Sequence, residues 1–257
     1  MLANDLSLLI DAAKEAGRIA TRFTGPTAET WHKPNGAGPV TEADLAVNAM
    51  LHAELRTARP DYGWLSEETE DNTARREHSR VFIIDPIDGT RGFIEGSSTW
   101  ARSLAIAENG VVTAAVIYLP LRDKLYSAAS GHGAHLNGRR IHSSDRDTLD
   151  GASVLAAKPN YEPNHWKNGP PDVKRHYRPS LAYRLALVAE GRFDAMLTLR
   201  NSWEWDIAAG DLLLREAGAT ITDKTGSQLL FNNATPQLNG VVAGGKFLHA
   251  KISEALI

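Results

Sequence analysis

Val81-Phe82-Ile83-Ile84-Asp85-Pro86-Ile87-Asp88-Gly89-Thr90 is the stretch from which the rest of the chain is best read. Four apolar residues, two of them Ile, form a short buried-strand signal. The strand runs into a carboxylate, a proline, a second carboxylate, a glycine and a hydroxyl. Pro86 is expected to end the strand, because it has no backbone donor. Gly89 lets the backbone turn sharply or approach a ligand closely. Two carboxylates are thus held three residues apart at the C-terminal end of a strand. Uncompensated charge is costly there, so a cation is the natural partner.

Upstream, the spacing of Leu6, Leu9, Ile10, Ala13, Ala16, Gly17 and Ala20 predicts an amphipathic helix over about residues 4–23, stopped by Gly25-Pro26. A Gly- and Pro-rich loop follows at residues 33–39. Thr41 reads as a helix cap with Asp44 as its acidic partner three residues on, opening a helix that runs to about Arg59. Tyr62 to Leu65 reads as a strand ending in Ser66-Glu67-Glu68, and the polar segment from Thr69 to Arg80 as a mobile loop. Downstream, Ala101 to Ala107 and Val111 to Leu119 are strands joined by the hairpin turn Asn109-Gly110. Lys124 to Ala129 adds a strand, and Asn137-Gly138 another tight turn.

The second half alternates helices and strands. Helices are expected at Ser180 to Glu190, Trp205 to Ala217 and from Lys246, and strands at Phe193 to Leu199, Ala219 to Thr222 and Val241 to Ala243. Gly218 stands where a C-terminal cap glycine would. Paired helices and hairpin strands in the first half suggest α+β, and the alternation in the second half α/β layering. A boundary near residue 145 divides the chain into 1–145 and 146–257, with no internal repeat.

A chain of 257 residues buries a sizeable core. A net charge of −3 argues against a basic nucleic-acid-binding surface. The sequence contains no cysteine, which excludes disulfides, thiolate metal sites and cysteine nucleophiles, and fits a cytoplasmic setting. Asp5, Asp11, Lys14 and Glu15 interrupt the N-terminal apolar residues, so this segment reads as neither signal peptide nor membrane span.

Glu67, Asp85, Asp88 and Asp206 stand apart from the other acids because each sits at the edge of an apolar element. Such oxygen-rich sites suit Mg²⁺. Nothing in the chain has the histidine spacing of a zinc site, and His132 and His135 lie in a Gly-rich turn with no further ligand in view. Asp206 alone would read as an acid favoured by a helix N-terminus, and Asp44 alone as a cap. The pair Asp85 and Asp88 resists that reading, because a turn needs at most one such acid.

With these residues in hand, the chain resembles the inositol monophosphatase superfamily of Mg²⁺-dependent, lithium-sensitive phosphatases. Three motifs occur in the family's order: Ser66-Glu67-Glu68, Asp85-Pro86-Ile87-Asp88-Gly89-Thr90, and Trp205-Asp206-Ile207-Ala208-Ala209-Gly210 continuing to Glu216-Ala217-Gly218. The resemblance implies a layered α-β-α-β-α sandwich. It implies that Glu67, Asp85 and the carbonyl of Ile87 hold one Mg²⁺, that Asp85, Asp88 and Asp206 hold a second, and that Glu67 serves a weaker third. Thr90 with Asp44 would orient the attacking water, and the N–H groups of Gly89 and Thr90 would bind phosphate. Two-metal hydrolysis without a covalent phosphoenzyme follows, and Asp88→Asn would lower turnover by orders of magnitude with little loss of fold. The pattern departs at Ser66, where glycine is usual, and at Gly92, where a larger residue is common near the substrate pocket.

Glu204-Trp205-Asp206 and Asp88 through Ile94 are similar to the bacterial 3'(2'),5'-bisphosphate nucleotidases. Substrate contacts are therefore expected from Asp88, Gly89, Thr90, Arg184 and Glu204, with Arg184 meeting a second phosphate. The expected reaction is removal of the 3'-phosphate of adenosine 3',5'-bisphosphate, with inositol monophosphate second and histidinol phosphate third. A haloacid-dehalogenase site is argued against because its acids stand two apart, not three. A metal- or phosphate-binding regulator without catalysis is the other reading. The partner is a small phosphorylated molecule rather than a nucleic acid or membrane, and the resemblance implies a homodimer.

Overall fold

A computed structural model describes residues 2–23, 25–34 and 38–257. In chain order the first half contains helix α1 (Leu2–Ala20), strands β1 (Thr30–His32) and β2 (Pro39–Thr41), helix α2 (Glu42–Ala58), strands β3 (Gly63–Ser66) and β4 (Arg80–Asp88), and the short helix α3 (Thr90–Ile94). Strands β5 (Ala101–Glu108), β6 (Val111–Leu119), β7 (Lys124–Ala129), β8 (Ala134–Leu136) and β9 (Arg139–Arg140) complete it. The second half contains β10 (Ser153–Leu155), β11 (Lys174–His176), α4 (Leu181–Ala189), β12 (Ala195–Thr198), β13 (Ser202–Trp203), α5 (Glu204–Glu216), β14 (Ala219–Thr222), β15 (Gln237–Leu238), β16 (Val241–Gly245) and α6 (Lys246–Ala255).

The unbroken apolar run in β4 is explained by what lies on its two faces. Side chains alternate along a strand. Val81 and Ile83 join one buried cluster, and Phe82 and Ile84 join another. Burying each such side chain contributes about 1.5–3 kcal/mol. Strands β3 to β9 form a seven-stranded sheet in sequence order, antiparallel except for the parallel pair β3–β4. Helices α1 and α2 cover one face of this sheet, and α5 packs on the other. A second sheet, ordered β11-β10-β12-β16-β14, packs on α4 and α5 from the far side. Helix α6 closes that sheet's outer face. The expected α-β-α-β-α layering is therefore present.

Local signals explain the boundaries. Thr41 caps α2, with the Asp44 carboxylate bonded back to the Thr41 N–H at 2.9 Å. Asn109 and Gly110 both take positive φ and turn the β5–β6 hairpin. Ser180 caps α4 through the Tyr183 N–H. Gly210 lets α4 and α5 approach closely, since a Cβ there would lie 2.4 Å from Leu185. The first helix stops at Ala20, short of its expected end, and residues 35–37 of the Gly- and Pro-rich loop lie outside the described residues.

Two expectations need correction. Pro86 does not end the strand. The ladder pairs Asp85 with Ser103 and Asp88 with Ala101, so three steps on β4 oppose two on β5. Pro86 sits within this bulge, where its missing donor breaks no ladder bond. The segment after Thr69 is anchored rather than loose. Its 3₁₀ turn Thr73–Glu77 buries Arg75, which pairs with Asp71 at 2.7 Å and donates to Asn232 and to the Asn233 carbonyl.

Candidate active site

The bulge in β4 is what builds the site. In a regular strand, residues three apart point to opposite faces. The extra residue reverses this, turning Ile87 toward the α1–α2 side and leaving Asp85 and Asp88 on the side of α4 and α5. Two helix N-termini meet the carboxylates there. At α4, Asp88 accepts from Ser180 Oγ and the Ala182 N–H, both at 2.6 Å, and from the Leu181 N–H at 3.3 Å. At α5, Ser103, the partner of Asp85 across the ladder, donates to the Trp205 carbonyl at 2.7 Å. That bond pins the first turn of α5 and places Asp206 over Asp85.

Ligand atoms of Asp85, Asp88 and Asp206 lie within 4.8 Å of one another. Asp85 Oδ1 is buried without a hydrogen-bond partner among the described residues. Burial pushes the carboxyls of Asp85 and Asp206 well above the ordinary range, reinforced for Asp85 by Glu67 and for Asp206 by Asp88. Asp88 rises to about 6 through burial, held down by its bonds from Ser180, Ala182 and Leu181. Crowded, desolvated carboxylate oxygens with an unused lone pair fit a hard divalent cation.

Glu67 joins the group through the parallel β3–β4 pairing, its N–H bonded to the Ile84 carbonyl at 3.2 Å. Lys33 reaches in from the loop before β2, with Nζ 2.7 Å from Glu67 and 2.6 Å from Glu68. Burial opposes the Lys33 ammonium, yet the two glutamates hold its pKa above the usual lysine value. Burial and the charge of Glu67 push Glu68 up to about 7. Thr90 Oγ1 donates toward the Ile87 carbonyl at 3.1 Å or Asp44 Oδ1 at 3.3 Å. Asp44 is pushed up to about 6 by burial, against the bonds from Thr41. Ser66, the first departure from the family pattern, donates to Asn48 Oδ1 at 2.7 Å.

A cavity of about 500 Å³ opens over the cluster, lined by Glu67, Asp88, Gly89, Thr90, Gly92, Arg184 and Asp206. Arg91, Glu95, Tyr177, Arg200, Trp203 and Trp205 complete its walls. Trp203 stacks on Trp205 with ring centres 4.7 Å apart. The Arg184 guanidinium lies 4.8 Å from the Tyr177 ring and donates to the Arg178 carbonyl at 2.6 Å. Gly92 leaves room, since a Cβ there would meet nothing nearer than Ser97 at 3.6 Å. Glu204 is a correction to the expected substrate contacts. It is fully buried, accepts from the Asn232 and Asn233 N–H groups at 2.6 and 2.9 Å, and does not line the cavity. Lys33, Ser180, Tyr177, Arg200 and Trp203 were not singled out from the sequence. Of these only Ser180, opening an apolar helix after Pro179, carried a signal.

Carboxylates gathered at paired helix N-termini inside an α-β-α-β-α sandwich form a site suited to a hard divalent cation. The chain belongs to the inositol monophosphatase family, whose sequence model matches residues 1–256. An inositol-1-monophosphatase of Mesorhizobium japonicum is 33% identical over 265 residues, covering 98% of this chain and 95% of that protein. The Nus factor SuhB of Escherichia coli is 33% identical over 232 residues, covering 86% and 85%. Among solved structures, an IMPase from Thermotoga maritima superposes with a TM-score of 0.81 at 29% identity, covering 99% of this chain and 96% of that one. The extragenic suppressor protein suhB of Bartonella henselae gives 0.81 at 30% identity, covering 98% and 97%. Family members are Mg²⁺-dependent and hydrolyse phosphomonoesters, and the acidic cluster suits that ion. Among the described residues, no helix is long and apolar enough to cross a membrane.

Asp44 and Asp88 titrate near 6 and Glu68 near 7 in the folded chain, against 3.8 and 4.5 ordinarily. The folded state therefore binds protons more tightly, a stabilisation complete below about pH 4 and lost as pH rises through about 6 to 7. In EDTA, calorimetry should show the melting temperature contribution of these groups rising as pH falls from about 8 to about 5.5. Mg²⁺ should then add more stability near pH 8, where protons no longer compete for the carboxylates. An equal or larger Mg²⁺ effect at the lower pH would contradict this.

Proposed function

We propose that this chain is an inositol-monophosphatase-type enzyme whose substrate is a small phosphate monoester of the inositol 1-phosphate class. The observation that carries the phosphatase chemistry is the triad Asp85, Asp88 and Asp206, with a buried, unpartnered Asp85 oxygen beneath a cavity of about 500 Å³ that Asp88 and Asp206 line. The similar proteins named inositol-1-monophosphatases support this substrate over the nucleotide favoured by the sequence motifs. Asp85, Asp88 and Asp206 would hold one Mg²⁺, and Glu67, Asp85 and the Ile87 carbonyl another, with Glu67 serving a weaker third. When bound, Mg²⁺ supplies activation of water and stabilisation of negative charge on the leaving oxygen.

The chain's own groups do the rest. Thr90 has one hydroxyl proton, shared between the Ile87 carbonyl and Asp44. Its oxygen lone pairs are left to accept from a water and fix that water's direction. Asp44 is ionised above about pH 6 and held by Thr41, so it can receive the proton. Gly89, at φ 94°, and Thr90 line the cavity, and their N–H groups would meet phosphate oxygens there. Residues 1–145 and 146–257 act as two sub-domains, the second bringing Asp206 and Arg184 to the carboxylates of the first. A cytoplasmic homodimer is the setting we assign, on the resemblance alone.

Specific observations favour a second reading, the 3',5'-bisphosphate nucleotidase. Arg91, Arg184 and Arg200 on the cavity wall could meet a second phosphate, and exposed Tyr177 and Trp203 could face a base. Comparison of kcat/KM for inositol 1-phosphate, adenosine 3',5'-bisphosphate and histidinol phosphate decides between them. Inositol 1-phosphate is expected to lead by about tenfold or more, roughly 1.4 kcal/mol in transition-state binding. A lead of that size for the bisphosphate would overturn the first reading and establish the second.

A further inference from the structure

A second cavity, of about 410 Å³, lies at the β3 edge of the seven-stranded sheet. Arg56 and His52, one turn apart on α2, form one wall, and Trp64, Thr69, Glu70 and His78 lie around it. Its electrostatics are the reverse of the acidic cluster. Arg75 also borders it, but its guanidinium is committed to Asp71, Asn232 and Asn233. Arg56 is different. Its Nη1 is buried and has no hydrogen-bond partner among the described residues. A charged donor without an acceptor is costly, so an anion that reaches this guanidinium from the cavity would be favoured. His78 Nδ1 is spent on the Asp61 carbonyl at 2.8 Å, which leaves Nε2 as its free ring position. The ring of His52 stands edge-on to Trp64, 4.9 Å between centres, and stiffens the apolar wall. Glu70 is the one carboxylate among the described residues lining the cavity, and no ion pair is seen among them between it and Arg56.

We propose that this cavity is an anion-binding site that takes the carboxylate or phosphate group of a small organic ligand on Arg56. The volume leaves room for a body beyond the anionic group, with the Trp64 wall as its apolar contact. The wall is also bonded to the loop carrying Glu67 and Glu68. Thr69 Oγ1 accepts from Trp64 Nε1 and Asn48 Nδ2, each at 3.1 Å. Asn48 in turn donates to the Glu68 carbonyl at 3.2 Å and accepts from Ser66 at 2.7 Å. A ligand in this cavity therefore presses on hydrogen bonds that position the acidic loop.

The test is an NMR titration of the metal-free full chain with inorganic phosphate in one arm and benzoate in the other. Without metal, the carboxylates of the other cavity repel both anions. The Trp64 indole N–H resonance, assigned with Trp64→Phe, is expected to shift saturably in at least one arm. The arm that shifts it identifies phosphate or carboxylate as the preferred group. Arg56→Gln, a neutral change at a half-buried helix position, is expected to weaken that binding at least about tenfold, with the rest of the spectrum unchanged. Arg56→Lys should retain part of it. Affinity unchanged in Arg56→Gln, shifts confined to Trp203 and Trp205, or no saturable shift in either arm would overturn the proposal.

Discussion

Asp85→Asn is expected to lower turnover on the order of 10³-fold while raising the melting temperature of the metal-free protein near neutral pH. The two effects have one cause. Asp85 is the carboxylate most enclosed by other acids, its Oδ1 has no donor, and its carboxyl is pushed far up by burial and by Glu67. Without a cation this group must either stay charged in a buried place or take up a proton well above its ordinary range, each at a cost, so a neutral amide of the same shape relieves the fold. With a cation it is the ligand shared by both proposed ions, so the same amide removes function. Steady-state phosphate release and calorimetry in EDTA, run on the same preparation, read the two effects. Turnover within about tenfold of wild type would remove Asp85 from the site.

Asp88→Asn is expected to cost turnover to a similar degree, on the order of 10³-fold, but to shift stability in the opposite direction. Asp88 is the carboxylate whose oxygens are used by the fold, accepting from Ser180, Leu181 and Ala182 at the start of α4. The amide keeps one acceptor and turns an NH₂ toward donors. A loss of about 1–3 kcal/mol follows, from unmade bonds at a buried helix terminus. The bonds at the start of α4 give this variant a larger stability cost than its sequence context alone suggests. Urea denaturation in EDTA measures the difference. Equal stability changes in the Asp85 and Asp88 variants would show that charge alone, and not the cap, sets their energetics.

The contrast between these two acids shows where sequence reasoning stops. Their spacing of three, the Thr41–Asp44 cap and the Asn109-Gly110 turn are local patterns, and each was legible because residues within four positions determine it. The face to which Asp88 points was not legible. Spacing alone puts it opposite Asp85, and only the bulge against Ser103 and Ala101 brings the two together. Lys33 was hidden for a similar reason, since its partners lie 34 and 35 residues away. Glu204 sits in the right motif but turns inward, because residues 232 and 233 supply donors from a distant loop. Arg75 anchors a segment that reads as loose for the same reason. Arg102 carried no signal at all. Its guanidinium is fully buried against Trp100, 5.0 Å from the ring centre, with no hydrogen-bond partner among the described residues.

The cavity wall beyond the carboxylate frame is made by side chains on loops and helix ends. Gly92 leaves space, Arg184 is partly spent on backbone carbonyls, and Arg200 and Trp203 line the mouth. The frame itself makes a sharper claim, that phosphate release depends on Mg²⁺ held by Asp85, Asp88 and Asp206. The direct test is phosphate release from a panel of phosphomonoesters, followed as Mg²⁺ is titrated into EDTA-stripped protein. No release is expected before Mg²⁺ is added, with saturable recovery as it is. Release that proceeds undiminished in EDTA, or phosphate trapped covalently on Asp85, would contradict it.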